Sequence, residues 1–372
     1  MINGKKERPV LITGGAGFIG TNLAHRLLQA GHPVLIFDNL SRAGVEQNLR
    51  WLRERHGSRL QVTVADVRNA FALQRAVRQA ASVFHFAAQV AVTTSLAEPI
   101  DDFEVNARGT LNLLEAIRVL ESPPPLLFTS TNKVYGELEE LPLRQGIKRY
   151  EPEAPEIRTY GIGESRPLEF HSPYGCSKGA ADQYVLDYAR TYGIPAAVFR
   201  MSCIYGPHQF GTEDQGWVAH FMIRAMESRP ITLFGDGRQV RDVLYVEDLI
   251  DAFLLAQERI DFLSGKAFNI GGGPSNTTSL LELIHLIEAI GERPLTTHFE
   301  PWRLADQRYY VSDTRRFQSA TGWSPRVGVE KGVRSLYAWL REARSEKPSL
   351  RGARARSASQ IRSGRAAGKG AA

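Results

Sequence analysis

Val10-Leu11-Ile12-Thr13-Gly14-Gly15-Ala16-Gly17-Phe18-Ile19-Gly20 is the stretch on which the fold turns. Its first four residues form a short apolar run with β-branched side chains, which suits a buried strand. Glycines follow at once, and Leu23, Leu27 and Leu28 then continue at helical spacing. Residues 15–20 fit G-x-G-x-x-G, and Gly14, Gly17 and Gly20 also share a three-residue spacing. Strand, glycine turn and helix in this order let the backbone approach a pyrophosphate at a helix N-terminus. Gly14, Gly17, Phe18, Ile19 and Gly20 are therefore candidate cofactor contacts.

The next apolar run, Val34-Leu35-Ile36-Phe37, ends at Asp38. An acid there can accept hydrogen bonds from a ribose diol and repels a 2′-phosphate, which favours NAD over NADP. No basic residue stands at 38 or 39, and Arg42 is the nearest. The alternative for Asp38 is a turn acid opening Asp38-Asn39-Leu40-Ser41. Further runs at 61–64, 82–86, 125–129 and 196–200 alternate with helical patterns such as 106–119 and 177–192. That alternation predicts a doubly wound α/β fold with a Rossmann-type parallel sheet. The later chain is less regular, with a strand at 231–234 and helices near 247–258 and 279–291. It reads as a smaller α/β substrate-binding cap.

Residues 8–200 are thus expected to form mainly the cofactor domain, with a substrate loop at 137–171. Residues 201–343 form mainly the cap, with elements returning to the first domain, and 344–372 a basic disordered tail. The formal charge of +6 comes from that tail. Residues 347–372 hold seven basic residues and no acid, leaving 39 of the 46 basic residues against all 40 acidic ones. The body is near neutral, so no nucleic-acid role is expected. The N-terminus runs straight into a strand and no run of 18 apolar residues occurs, so neither a signal peptide nor a membrane span is expected. Two cysteines make no disulfide framework, and a cytoplasmic enzyme fits. No Cys/His/carboxylate cluster has metal-ligand spacing, so no metal is expected.

A second motif carries the chemistry. Ser172-Pro173-Tyr174-Gly175-Cys176-Ser177-Lys178 puts a tyrosine four residues before a lysine, behind a Ser-Pro that suits a helix start. Residues four apart share a helix face, so an ammonium beside Tyr174 is expected to lower its pKa and make it a base.

With these motifs in order, the chain resembles the extended short-chain dehydrogenase/reductases over roughly residues 8–340. Phe84-His85-Phe86-Ala87-Ala88, Asn106-Ala107-Arg108-Gly109-Thr110 and Arg238-Gln239-Val240-Arg241-Asp242-Val243 look like further family segments. Within the family, Thr131-Asn132-Lys133 before Val134-Tyr135-Gly136, the segment 170–184 and Asp214-Gln215-Gly216-Trp217-Val218 are similar to the CDP-paratose/CDP-tyvelose 2-epimerases. The resemblance implies NAD-dependent epimerisation of a nucleotide-activated hexose at the 2-position, through a transient 2-keto sugar. A 4-epimerase or 4,6-dehydratase is the alternative. Dehydratases usually carry an acid pair where this chain has Asn132 and Lys133.

By the same resemblance Thr131, Tyr174 and Lys178 are catalytic. Asn39, Ser41, Arg42, Asp66, Val67, Ala87 and Ala88 join the glycines, Asp38, Tyr174 and Lys178 on the cofactor. Gln89, Thr93, Asn132, Lys133, Ser202, Cys203, Gln215 and Thr232 are substrate candidates, as are Gln239, Arg241, Arg303 and Asp306. Many relatives have asparagine where Cys203 stands, so Cys203 reads as a small packing residue and the diphosphate contacts stay open. Thr131 also fits a strand-end residue with a local backbone bond, Lys133 a solvated lysine, and Arg241 and Arg303 ion-pair partners. His85 lies inside an apolar strand and reads as structural. The implied partner is a nucleotide sugar, with CDP-hexose favoured, in a homodimer or higher homo-oligomer.

Overall fold

The computed structural model describes residues 7–345. The expected basic tail beyond 345 and the first six residues lie outside the described residues. Seven parallel strands form the central sheet: β1 (Val10–Thr13), β2 (Val34–Asp38), β3 (Leu60–Val64), β4 (Ser82–His85), β5 (Leu126–Thr131), β6 (Ala196–Met201) and β7 (Lys266–Ile270). Their order is β7-β6-β5-β4-β1-β2-β3. In register, Val10 lies beside Val34 on one side and Ser82 on the other. The chain winds outward from β1 in one direction and then restarts at β4 on its other side. That reversal opens a crevice at the strand C-termini, where ligands of such sheets bind.

The strands are apolar on both faces because helices cover both. Ile12, Ile36 and Phe84 pack with Leu23 and Leu27 of the first helix, Phe18–Gln29, and with Phe253. Their alternates Leu11, Leu35, Phe37, Val83 and Phe128 pack with Leu113, Ile117 and Val185 on the opposite face. The two-residue alternation of a strand divides the core in this way.

The Tyr-x-x-x-Lys motif lies on the helix Ser172–Tyr192, next to β5 and β6. Ser172 Oγ accepts the Gly175 N–H at 3.3 Å, as a capping serine does, with Pro173 as the next residue. Ser172 itself adopts φ +66°, a left-handed conformation costly for a side chain.

After β6 the chain builds a second group of strands. Val240–Tyr245 runs parallel to Cys203–Tyr205 and to Tyr309–Tyr310, and antiparallel to Thr277–Ser279. Ile231–Phe234 pairs with Thr297–Glu300. These pairings bring Cys203, Arg241 and the 303–307 loop to face the ends of β5 and β6. Segment 137–171 forms a small hairpin, Leu143–Gln145 with Tyr150–Pro152, and a helix, Pro155–Tyr160. It docks on this second group: Arg149 pairs with Glu282, and Tyr150 N–H bonds the Arg238 carbonyl.

Candidate active site

The glycine turn has the geometry that a dinucleotide cradle requires. Gly14 has φ +67°, and a Cβ on it would lie 2.7 Å from the Ala87 nitrogen. A Cβ on Gly20 would lie 2.5 Å from the Gly14 carbonyl oxygen. Close backbone packing therefore excludes side chains at both positions. An added Cβ at Gly17 meets only the Gly14 carbonyl, at 3.1 Å, so the backbone is open beyond it. The N–H groups of Phe18, Ile19 and Gly20 start the first helix with no acidic side chain or side-chain cap on them, which leaves positive dipole for an anion. These residues fit a pyrophosphate.

Asp38 ends β2 with its carboxylate accepting the Ala16 N–H at 3.0 Å and the Leu40 N–H at 2.8 Å. Burial raises its pKa; those two bonds and Arg42 oppose the rise. The acid thus braces the glycine turn as well as facing the crevice. Asn39 donates to Asp66 at 2.8 Å and accepts the Ser41 N–H. The Arg68 hydrogen bond holds Asp66 down to about 2. Val67 is buried against Gly109, where a Cβ would come within 2.7 Å of it. Ala87 donates its N–H to Thr13 at 3.3 Å, and Ala88 is half-buried beyond it. Arg42 reaches across to Gln215 at 2.9 Å.

Thr131, at the end of β5, and Tyr174 line one cavity of about 390 Å³. Thr131 Oγ1 accepts the Lys133 N–H at 3.2 Å, so its strand-end role and its place in the cavity coexist. Lys178 is buried; its ammonium donates to the Thr129 carbonyl at 2.6 Å and lies 4.3 Å over the Phe128 ring. Burial pushes Tyr174 up to about 12, against a hydrogen bond to Thr131, with Asp102 adding to the rise. Burial also brings Lys178 down to about 7, against Asp182 and Asp102. The expected depression of the Tyr174 pKa by Lys178 is therefore corrected for the protein by itself. Burial outweighs the neighbouring charge for both groups.

Across the cavity, the Asp306 carboxylate takes Arg241 at 2.6 Å and Lys133 at 3.6 Å. Burial alone would raise Asp306, but the two cations outweigh it and hold it low. Lys133 also donates to the Ala305 carbonyl at 3.0 Å, so it is paired rather than solvated. Arg303 stacks 3.7 Å over Phe234 and bonds Glu213. Cys203 accepts the Trp217 indole N–H at 3.3 Å, and burial raises its thiol pKa. Ser202 is turned onto Asp242, and Asn132 is held by Gln307 at 3.1 Å. Gln215 and Thr232 line the same cavity. So do Thr93 and Gln239, whose buried Oγ1 and Oε1 lack partners.

Gln89 is not brought to the cavity lining; its amide is locked on Asp102 and Ala91. No residue of 137–171 lines the cavity either; the segment is tied to the second strand group through Arg149–Glu282 and Tyr150–Arg238. His85 bridges Thr13 at 2.6 Å and Thr110 at 3.1 Å inside the sheet. Sequence reasoning missed Gln209, which lines the cavity with a buried Oε1 that lacks a partner, and Gln307, which does not line it but holds Asn132. Both stand in irregular loops with no periodic signal. Among the described residues, no group of three His, Cys, Asp or Glu could hold a metal, and no helix is long and apolar enough to cross a membrane.

Residues 10–271 match the NAD dependent epimerase/dehydratase family. The chain belongs to that family. It is therefore an NAD-dependent enzyme. Over 337 residues it is 45% identical to CDP-paratose 2-epimerase of Salmonella typhi, covering 89% of this chain and 98% of that protein. UDP-glucose 4-epimerase of Thermus thermophilus, solved with NAD, is 31% identical with a TM-score of 0.75, over 90% of this chain and 99% of the other. UDP-glucuronic acid 4-epimerase of Bacillus cereus, solved with UDP-glucuronic acid and NAD, is 27% identical with a TM-score of 0.77, over the same shares.

Proposed function

We propose that this protein epimerises a CDP-hexose, the CDP-paratose/CDP-tyvelose pair, at carbon 2 through a transient 2-keto sugar. The observation that carries the reading is that Thr131 and Tyr174 line one cavity together with Arg241, Arg303 and Lys133. The near-complete match to a 2-epimerase supports the choice of carbon.

Gly14, Gly17, Phe18, Ile19, Gly20 and Asp38 hold the dinucleotide, with Asn39, Ser41, Arg42, Asp66, Val67, Ala87 and Ala88 around it. NAD supplies reversible hydride acceptance at the sugar carbon. Tyr174 takes the hydroxyl proton of that carbon as the ketone forms and gives it back as the ketone is reduced. Thr131 hydrogen-bonds the reacting oxygen. Lys178, as ammonium, steadies the phenolate. Inversion requires the keto sugar to present its other face before reduction, so the cavity must tolerate sugar rotation while the nucleotide stays clamped. Arg241 and Arg303 suit that clamp, because guanidinium groups match phosphate geometry. Cys203 beside them is neutral and adds packing rather than charge.

The 4-epimerase and dehydratase readings remain the alternatives on this fold. Dehydration is disfavoured by Asn132 and Lys133, neither of which is a carboxylic acid. A cytoplasmic location and a homo-oligomer belong to the same proposal; exposed Ile100, Phe103 and Tyr184 on neighbouring helices support the homo-oligomer. CDP-paratose deuterated at carbon 2, incubated with the enzyme, should give CDP-tyvelose with the label on carbon 2 and little solvent exchange by NMR. Inversion at carbon 4, or washout of the label, overturns the reading.

A further inference from the structure

Asp102 is a fully buried carboxylate two residues before the π-helical turn Glu104–Arg108, which holds Asn106, and no cation among the described residues is bonded to it. Its Oδ1 accepts Gln89 Nε2 at 2.9 Å and Asn106 Nδ2 at 3.1 Å. Its Oδ2 accepts the hydroxyl of Ser177. Ser177 stands between Tyr174 and Lys178 on the helix that carries both. The same hydroxyl receives Asn106 Nδ2 at 3.0 Å. A second tie, Tyr174 N–H to Ser95 Oγ at 3.1 Å, reaches the helix from the short helix Val92–Ala97.

Burying a carboxylate is costly unless it is bonded, and replacing it by an apolar group is often cheaper. Here the bonds converge on the residue between the two reactive side chains. We propose that Asp102 is a positioning residue of the reaction: it tethers the reactive helix through Ser177 and supplies the fixed negative charge near Lys178. The proposal rests on the role given to Tyr174 and Lys178 above.

The charges around this group are few. Asp101 neighbours Asp102 on its own helix. Lys178 faces Asp182 on its own helix, and Asp182 is already neutralised by Arg200 at 2.9 Å. From the sheet, His85 is held near pKa 3 by burial and Lys178, so it stays neutral. Arg42 approaches Tyr174 from the cofactor side. Asp102 is thus the one uncompensated carboxylate, among the described residues, that acts on both Tyr174 and Lys178. It favours the ammonium of Lys178 and, in the protein by itself, disfavours the phenolate, so Tyr174 becomes the base only when substrate and cofactor charge are added.

Asp102→Asn removes the charge but keeps the shape, and Ser177→Ala removes the tether but keeps the charge. For Asp102→Asn, the Tyr174 phenolate absorbance (Asp102→Asn minus Asp102→Asn/Tyr174→Phe) should appear about one pH unit lower than in the enzyme with Asp102 (the enzyme minus Tyr174→Phe). Its kcat should fall about tenfold or more with KM within about twofold. Ser177→Ala should lower kcat without moving the titration. Both variants should retain bound NAD, showing that the fold survives. An unmoved phenolate titration in a folded Asp102→Asn protein, or wild-type kcat in both variants, overturns the proposal. Loss of epimerase activity in Tyr174→Phe tests the reading beneath it separately.

Discussion

The Lys178 ammonium donates to the carbonyl oxygen of Thr129 at 2.6 Å, and no hydrogen bond among the described residues joins it to the phenol of Tyr174. Two residues further along the same strand, Thr131 lines the cavity with Tyr174. One strand end therefore anchors the lysine and carries the residue that faces the tyrosine. The lysine is held rigidly, and its effect on the phenol runs through space rather than through a bond. Substrate and cofactor charge must supply the rest of the bias toward phenolate.

Tyr174→Phe removes one oxygen from this arrangement. It should lower kcat by about 10²–10⁴-fold, the usual cost of losing a general base. The helix keeps its tie from Tyr174 N–H to Ser95, which the substitution does not touch. Nucleotide released on denaturation should match wild type, and steady-state rates should show the loss. Near wild-type turnover removes Tyr174 from the proposed role.

The fold was legible because its signals are local. β1, the glycine turn and the first helix are encoded within twenty residues, and Ile231–Phe234 appears in the structure with the bounds expected of it. Boundaries moved by a residue or two elsewhere, as for β5, which runs to Thr131 rather than 129. The cavity lining was legible in part where the sequence repeats a family pattern, since Thr131 and Arg241 both line it. What escaped was the pairing of side chains. Nothing in the sequence shows that Lys133 meets Asp306 across 173 positions, or that burial dominates the Tyr174 pKa. Length and prolines make 137–171 read as a substrate loop; what they do not show is that it folds into a hairpin tied by the Arg149–Glu282 pair.

Acid should destabilise the protein through His208. Its ring lies 4.2 Å from Trp51 and 5.2 Å from Trp339, and its Nδ1 meets Asn48 Oδ1 at 3.1 Å. Burial, with His25 and Arg55, brings it down to about 4 from 6.5. A folded pKa below the unfolded one favours the neutral form. The stability it contributes is present above pH 6.5 and lost as pH falls toward 4, on the order of 3 kcal/mol in all. Thermal melts from pH 7 to 4 should show this slope, and His208→Gln should flatten it. An unchanged slope excludes His208 as its source.

Gly14→Ala should cost cofactor. The added Cβ would meet the Ala87 backbone at 2.7 Å and would sit on a residue with φ +67°. Both faults displace the turn from β4, and the left-handed conformation alone costs about 1–2 kcal/mol. NAD co-purifying with the variant should drop well below the wild-type level, read by absorbance of the denatured extract. Full occupancy shows that the turn does not hold the dinucleotide.

The Arg241–Asp306 pair should behave as a coupled unit. Asp306→Asn leaves Arg241 and Lys133 facing each other with their shared anion gone, inside a cavity wall where Arg241 is only 8% exposed. Breaking such a pair should cost about 3 kcal/mol, the lower end of the buried range, because Asp306 keeps some contact with water. Arg241→Met leaves Asp306 with Lys133 alone, at 3.6 Å, and should cost less. In the double variant neither charge is stranded by the loss of the other, so its cost should fall short of the sum by about 1–3 kcal/mol. Urea unfolding of the four proteins measures that coupling. Nucleotide-sugar KM should rise in both proteins lacking Arg241, because the guanidinium proposed to clamp the diphosphate is missing. Additive stabilities would mean that Asp306 does not set the position of Arg241, and an unchanged KM would place the phosphate clamp on Arg303 instead.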